Sequence, residues 1–233
     1  MTSPDRYFYR DHPATCAPDD YWGQVKRTVN GQPVAPGQID MIVASVAGGL
    51  ALKAEDVLLD LGCGNGALTD RVFDHCAGGL GVDFSDFLIG VAQRDFQRPP
   101  QRLYQAGELL DFLATAPYPQ RFDKAMCYGV FMFLDADEAL ACLTRLRTRF
   151  TGLSRVFLGN LPDKARMGDF FRHGEYRPGL ESDPASPIGV WRHEVELAEL
   201  ARVAGWNAEV RRMPADFYAA AYRYDAILTP MDA

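Results

Sequence analysis

The chain has 233 residues, of which 48% are hydrophobic and 24% charged, so it can bury a substantial core and is not a disordered or fibrous protein. Its 24 basic and 31 acidic side chains give a net charge of −7. Because nucleic-acid binding rests largely on basic surface, this balance disfavours DNA and RNA as partners. It favours small molecules, cationic ones included.

Cysteine usage and the first residues predict the compartment. The five cysteines are odd in number and scattered, and none is paired as CxxC or placed near histidines at metal-ligand spacing. They predict reduced thiols and no metal site. The N-terminus lacks the apolar stretch of a signal peptide, and no run approaches the roughly 18 apolar residues of a membrane helix. We therefore expect a cytoplasmic protein that does not associate with membranes.

The pattern of apolar residues changes at Pro36. Residues 1–35 are polar, aromatic and turn-rich, which predicts an arm folded over the rest of the chain. Beyond them, helical and strand patterns alternate. The predicted helices run from Ile39 to Leu50, Leu68 to Cys76, Leu88 to Phe96, Asp135 to Phe150 and Glu194 to Ala204. The predicted strands are Val57–Leu61, Leu80–Asp83, Arg102–Ala106, Phe122–Tyr128, Ser154–Gly159, Trp206–Met213 and Tyr222–Thr229.

This alternation predicts an α/β fold with a parallel sheet covered by helices on both faces. No helix separates the last two strands, so we expect them to pair as an antiparallel hairpin. Residues 160–192 interrupt the alternation and are rich in proline and aromatic residues. Structureless loops of that length are uncommon in compact domains, so this segment is predicted to be a functional lid or a small insertion.

The strongest local signal is the sequence D-L-G-C-G-N-G from Asp60 to Gly66, directly after the first strand. Glycines allow a ligand to approach the backbone closely, and the helix that follows offers unpaired N–H groups. Asp83 ends the second strand, where a carboxylate can accept hydrogen bonds from two ribose hydroxyls. Together these features predict a nucleotide-type cofactor.

Two classes of cofactor fit this signal. Gly62, Gly64 and Ala67 satisfy G-x-G-x-x-G/A, so an NAD(P)-dependent dehydrogenase is one candidate. Asp60 precedes Gly62 by two residues and would repel a pyrophosphate. A ligand with an ammonium and a sulfonium group and no phosphate would be attracted by the same acid.

Five segments, in order and spacing, closely resemble the class I S-adenosylmethionine-dependent methyltransferases: V-L-L-D-L-G-C-G-N-G, G-V-D-F-S, A-G-E-L-L, F-D-K-A-M-C-Y-G and E-L-A-E-L-A-R-V-A-G-W. The likeness covers about residues 36–229. It implies a Rossmann-like, doubly wound sheet of seven strands, mostly parallel, with an antiparallel strand in the C-terminal hairpin. It also implies that S-adenosylmethionine is the cofactor and that 36–233 is the methyltransferase domain, with 160–192 as a substrate-side insertion.

The resemblance assigns most of the cofactor-binding residues. It places the methionine part of the cofactor at Asp60, Gly62 and Gly64. Asp83 would hold the ribose hydroxyls, and Phe84 would lie against the adenine.

Four further positions follow from the same resemblance. Glu108 and Leu109 stand where the family binds the adenine edges, although the usual acid at the first position is Asp. Cys127 and Tyr128 stand where a backbone carbonyl commonly faces the cofactor's amine and a side chain faces the transferred methyl. A small core residue is the alternative role for Cys127.

Fewer sequence features indicate how the methyl acceptor would be bound and activated. His173 is the main candidate for a general base, with Tyr128 as a weaker one, since histidine titrates near neutrality. Arg172 beside it could hold an acidic group of the substrate. His12 and His193 are further candidates, but His193 directly precedes a helix, where a capping role is the alternative. Methyl transfer also proceeds without a base where alignment supplies the rate.

Aromatic side chains complete the predicted substrate site. Tyr21 and Trp22 in the arm and Trp191 at the end of the insertion are candidate walls of a closed cavity, with core packing as the alternative. The sequence thus predicts a methyltransferase acting on a small-molecule acceptor. The alternatives are an NAD(P)-dependent dehydrogenase and a catalytically silent cofactor-binding partner subunit.

Overall fold

The computed structural model describes residues 11–29, 31–171 and 176–232. Its strands are β1 (Thr28–Val29), β2 (Gln32–Pro33), β3 (Val57–Leu61), β4 (Gly78–Asp83), β5 (Arg102–Ala106), β6 (Lys124–Tyr128), β7 (Arg155–Pro162), β8 (Trp206–Arg211) and β9 (Arg223–Pro230). Its α-helices are α1 (Tyr21–Gln24), α2 (Pro36–Leu50), α3 (Ala67–Phe73), α4 (Asp86–Asp95), α5 (Leu109–Thr115), α6 (Ala136–Arg149), α7 (Met167–Phe170) and α8 (Glu194–Val203).

Strands β3 to β9 form one sheet in the order β5-β4-β3-β6-β7-β9-β8. Neighbouring strands are parallel except at β9, which runs antiparallel to both β7 and β8. This confirms the predicted seven-stranded, mostly parallel sheet with a C-terminal hairpin. The strand order reverses between β3 and β6, and the crevice at such a reversal is where open α/β sheets bind ligands.

The core consists of two hydrophobic layers, one on each face of the sheet. Alternation along the strands divides the side chains, so that Leu58 joins the layer under α2, α3 and α4, while Leu59 joins the layer under α5, α6 and α8. Phe157 and Leu158 divide in the same way on β7. Burial on both faces explains why these strands are continuous apolar runs in the sequence.

Most predicted elements are present, with shifted boundaries. The helix predicted from Asp135 begins with a capping box, in which the Asp135 side chain accepts the Glu138 N–H and the Glu138 side chain accepts the Asp135 N–H. The strand predicted to begin at Leu80 begins two residues earlier, because Gly78 and Gly79 already belong to β4. The backbone oxygen of Leu58 would lie 1.8 Å from a Cβ at Gly79, so the close approach of β3 requires a glycine there.

The sequence analysis also missed α5 and misplaced the end of β7. Helix α5 has only seven residues, too few for a clear periodic pattern. Strand β7 continues past Gly159 to Pro162, because a register shift between Leu158 and Leu161 lets it resume pairing with β9. None of the described helices is both long and apolar enough to traverse a bilayer.

Two adjacent glycines in α2 provide a test of how this helix packs on the sheet. A Cβ at Gly49 would lie 2.7 Å from the Phe157 ring, whereas a Cβ at the exposed Gly48 meets nothing within 4 Å. Gly49→Ala should therefore destabilise the protein by about 1–3 kcal/mol through overpacking. Gly48→Ala should stabilise it by about 0.5–1 kcal/mol, because alanine loses less backbone entropy in a helix.

Urea unfolding of both variants measures this difference. Equal effects of the same sign at the two positions would contradict the packing of α2 against Phe157.

Candidate functional site

A cleft of about 880 Å³ lies at the carboxyl ends of β3, β4 and β6. The sheet side of the cleft is formed by residues 60–65, 82–84, 107–111 and 128–130, followed by 133–135 and Glu138. Residues 184–187 and Trp22 with 25–27 of the arm form the opposite side. The sheet and both segments predicted to cover it therefore meet at one cavity.

The glycine loop, residues 62–66, turns the chain from β3 into α3. Gly62, Gly64 and Gly66 have φ values of +81°, +56° and +81°, a region that side chains rarely adopt. A Cβ at Gly62 would lie 2.3 Å from Val130, and one at Gly64 would lie 2.9 Å from Val25 of the arm. The loop thus needs its glycines both for backbone conformation and for space.

Asp83 is joined to the glycine loop by a hydrogen bond. Its carboxylate accepts the Gly64 N–H at 2.9 Å on one oxygen and the Ser85 N–H at 2.9 Å on the other. Burial raises the pKa of Asp83 above its ordinary value, and these two N–H groups partly oppose that shift. Each oxygen keeps a lone pair for one further donor, so the carboxylate can accept a pair of ligand hydroxyls.

Asp60 is the more deeply buried acid, with 2% of its surface exposed. Burial raises its pKa to about 7, although the Thr69 hydroxyl donates a hydrogen bond to the carboxylate and lowers the pKa. The negative charge of Asp83 raises the pKa further, and the positive charge of Arg27 lowers it. A cation bound in the cleft would stabilise the ionised carboxylate.

The other cofactor residues predicted on the sheet fall into two groups. Phe84, Glu108 and Leu109 line the cleft beside Asp83, and the charge of Glu108 contributes to the raised pKa of Asp83. The side chain of Cys127 is fully buried in the hydrophobic layer under α5 and α6, outside the described lining of the cleft.

Tyr128 lines the cleft, but its hydroxyl is buried and has no hydrogen-bond partner among the described residues. Burial raises the pKa of Tyr128 well above its ordinary value. The phenol therefore stays protonated at neutral pH, and it is suited to donate a hydrogen bond but not to accept a proton from a substrate.

Arg27 is the principal site residue that the sequence analysis missed. Its guanidinium lies 4.9 Å from the ring centroid of Tyr128 and 5.7 Å from that of Trp22. Its Nη1 atom is buried without a hydrogen-bond partner in the described parts of the chain. An arginine in a turn-rich segment carries no periodic signal, so only the folded arm shows that it faces Asp60 and Tyr128.

The predicted acceptor-side residues are only partly brought together. Trp22 lines the cleft, but Tyr21 and Trp191 are not among its described lining residues. The Tyr21 hydroxyl donates a hydrogen bond to Asp95. The Trp191 ring packs against Phe170 and Tyr222. Arg172 and His173 lie outside the described residues.

The remaining histidine candidates have structural partners. The ring of His12 lies 3.0 Å from the carbonyl oxygen of Gly23, and His193 immediately precedes α8, where its N–H donates to Glu196. Within the described ranges, no group of three His, Cys, Asp or Glu side chains could hold a metal ion.

Comparison with known proteins supports the resemblance to methyltransferases. A family model described as a methyltransferase domain matches residues 59–150, from within β3 to just past α6, and so includes the glycine loop. The match covers less than half of the chain, and over that range the chain is similar to methyltransferases.

Two uncharacterised methyltransferases of Schizosaccharomyces pombe are relatives of this domain. One is 30% identical over 96 residues, which cover 40% of this chain and 35% of the relative. The other is 27% identical over 143 residues, covering 58% and 46%. The chain thus matches less than half the length of either relative.

Solved methyltransferase structures share the whole fold. Magnesium protoporphyrin IX methyltransferase (ChlM) from Synechocystis PCC 6803, with bound SAH, matches 97% of this chain and 99% of its own with a TM-score of 0.65 and 19% identity. The CcbJ methyltransferase from Streptomyces caelestis matches 96% and 98% with a TM-score of 0.65 and 17% identity. At these identities the likeness concerns the fold.

The raised pKa of Asp60 generates a prediction about stability. The unfolded pKa of an aspartate is about 3.9, so between about pH 4 and 7 the folded state binds more protons than the unfolded state and loses stability as the pH rises. Asp60→Asn removes the charge and can still accept the Thr69 hydrogen bond. We expect the variant to be more stable than the wild type at pH 8 by roughly 1–3 kcal/mol, with a smaller difference at pH 5.

Urea unfolding at the two pH values, with Asp19→Asn as an exposed control in the arm, measures this effect. A loss of stability in Asp60→Asn at pH 8 would show that the carboxylate is not strained by burial.

Proposed function

We propose that the chain is an S-adenosylmethionine-dependent methyltransferase that transfers the methyl group to a small-molecule acceptor. The main support for this proposal is a pair of buried carboxylates, Asp60 and Asp83, which line one cleft on either side of the glycine loop. A dinucleotide would bring a pyrophosphate beside Asp60, and the two negative charges would repel each other. The amino acid part of S-adenosylmethionine brings a cation instead.

Each end of the cofactor has matching residues in the cleft. Asp60 would face the ammonium group, and Arg27, across the cleft on the arm, would pair with the carboxylate of the same amino acid. Asp83 would accept the two ribose hydroxyls. This assignment gives an anion to the buried Nη1 of Arg27, which has no hydrogen-bond partner among the described residues.

The adenine would lie between β4 and α5. Phe84 is half-buried and offers an aromatic face, while Glu108 and the backbone of Leu109 can pair with the adenine edges. Glu108 directly precedes α5, so the first N–H groups of that helix would lie close to the proposed adenine.

The acceptor would occupy the part of the cleft beyond Tyr128. The lining of the cleft includes the apolar side chains of Trp22, Val130 and Phe133. Its acids, which include Asp111, Asp135 and Glu138, outnumber its bases, Lys26 and Arg27, and would repel the phosphates of a nucleic acid. A small molecule with an apolar body fits this lining best.

When bound, S-adenosylmethionine would supply an activated methyl group, and the acceptor would attack the methyl carbon in line with the carbon–sulfur bond, so that S-adenosylhomocysteine (SAH) leaves as a neutral thioether. The chain's residues align the two partners and exclude water, which supplies much of the rate in such reactions. Tyr128, as a neutral phenol, would orient the acceptor. His173 remains the proposed base for acceptors that must lose a proton, with Arg172 beside it to hold an acidic group.

Transfer of a labelled methyl group tests this function. We expect the wild type to move label from methyl-labelled S-adenosylmethionine into the low-mass fraction of a cell extract, and Asp83→Ala to reduce transfer at limiting cofactor by about tenfold or more, through the loss of charge-assisted hydrogen bonds. Label appearing only in protein or nucleic acid would contradict a small-molecule acceptor.

The same preparation separates the alternatives. Tighter binding of NAD than of SAH would favour the dehydrogenase. Binding of SAH without transfer into any fraction would favour a silent partner subunit.

Arg27 provides a separate test of the cofactor's position. Arg27→Met keeps an unbranched apolar side chain but loses the guanidinium that would pair with the cofactor carboxylate, so affinity for SAH should fall about 10- to 100-fold. Calorimetric titration measures it, with Arg211→Met as the control, since Arg211 is exposed and pairs with Glu209. Unchanged affinity in Arg27→Met would place the carboxylate elsewhere.

A further inference from the structure

The described part of the arm, 11–29 and 31–35, is attached to the glycine loop through one side chain, Asn65. This side chain is 1% exposed. Its Nδ2 donates hydrogen bonds to the carbonyl oxygen of Tyr21 at 2.7 Å and to Oε1 of Gln24 at 2.9 Å. Its Oδ1 accepts the N–H of Ala67, the first residue of α3. One amide therefore joins the arm, the loop and the start of α3.

Gln24 continues this connection into the arm. It is fully buried, and its Nε2 donates to the carbonyl oxygens of Ala17 and Pro18 at 3.1 and 3.2 Å. Its side chain does not contribute to the described lining of the cleft. Gln24 thus fixes the shape of the arm without a place among the residues that would touch a ligand.

The shape of the arm determines where two cleft residues lie. Trp22 belongs to the same helical turn as Gln24, and the Arg27 N–H donates to the carbonyl oxygen of Trp22 at 2.8 Å. Val25 lies against Gly64, where an added Cβ would be only 2.9 Å from its side chain. A displaced α1 would therefore withdraw Trp22, Val25 and Arg27 from the cleft together.

We propose that the Asn65–Gln24 hydrogen bond couples the arm to the cofactor loop, so that cofactor binding and closure of the arm stabilise each other. Gln24 is then a positioning residue that acts through Trp22 and Arg27. The proposal rests on the function proposed above, because the ligand that orders the loop is taken to be the cofactor.

The physical reason is the burial of both amides. A partial displacement of the arm would leave the Asn65 and Gln24 amides buried without partners, at a cost of about 1–3 kcal/mol for each unsatisfied group. Intermediate positions are therefore unfavourable, and the arm has two preferred states, attached and released. A ligand that favours the attached state must itself be bound more tightly in that state, because coupling between two sites is reciprocal.

A second attachment point supplies a matched control. The Tyr21 hydroxyl donates to Asp95 at 3.1 Å, and its ring packs edge-on against Phe96 at 5.1 Å. Tyr21→Phe removes this hydroxyl but keeps the ring and the backbone carbonyl that binds Asn65. Gln24→Leu keeps the approximate volume of Gln24 but removes both the N–H donors and the carbonyl acceptor of its amide.

Hydrogen exchange with and without SAH tests the coupling. In the wild type, SAH should slow exchange of the amides in 11–29 at least about fivefold, the lower range of such couplings. In Gln24→Leu, this slowing should disappear and SAH affinity should fall by a similar factor. In Tyr21→Phe, whose arm stays linked to Asn65, SAH should still slow exchange. A merely structural role would change exchange equally with and without SAH.

Three results would overturn the proposal. The first is SAH binding to the wild type with no change in arm exchange, a measurement that needs no variant to fold. The second is wild-type behaviour of Gln24→Leu in both measurements. The third is the absence of SAH binding to the wild type, which would refute the proposed function as well.

Discussion

The hydrogen bond from the Gly64 N–H to the Asp83 carboxylate is the interaction on which the cleft depends. It joins the loop after β3 to the end of β4 and orients the loop backbone, whose positive φ angles favour glycine. Asp60 and Asp83 are buried on either side of the loop, and Asn65 binds the arm. The positions of both acids and of the arm therefore depend on this one turn, and our proposal for the cofactor depends on it as well.

The buried carboxylate of Asp60 reduces the stability of the fold at neutral and higher pH. A buried carboxylate with a pKa of about 7 is only partly ionised at neutral pH, and the folded protein is destabilised as the pH rises. Arg27 lies too far away to form an ion pair with it and keeps a buried nitrogen without a partner in the described chain. In our account these unsatisfied charges make the cleft complementary to an amino acid with both an ammonium and a carboxylate group.

The features that could be predicted from the sequence are those that depend on local residue patterns and on glycine-rich turns. Buried strands such as β3, the capping box at Asp135, and the acids at Asp60 and Asp83 follow from hydrophobic periodicity, helix-start signals and position at strand ends. The role of Gly79 could not be predicted in this way, because it depends on the close approach of the Leu58 backbone from a neighbouring strand. Arg27 was missed for the same reason, since its importance arises from the fold of the arm over Tyr128.

A crystal structure with bound SAH would show whether one cofactor lies between the glycine loop and the arm. We expect both ribose hydroxyls within hydrogen-bonding distance of the Asp83 carboxylate. We also expect the amino group beside Asp60 and the carboxylate beside Arg27. SAH bound away from these three side chains, or bound with the arm detached from Asn65, would contradict this expectation.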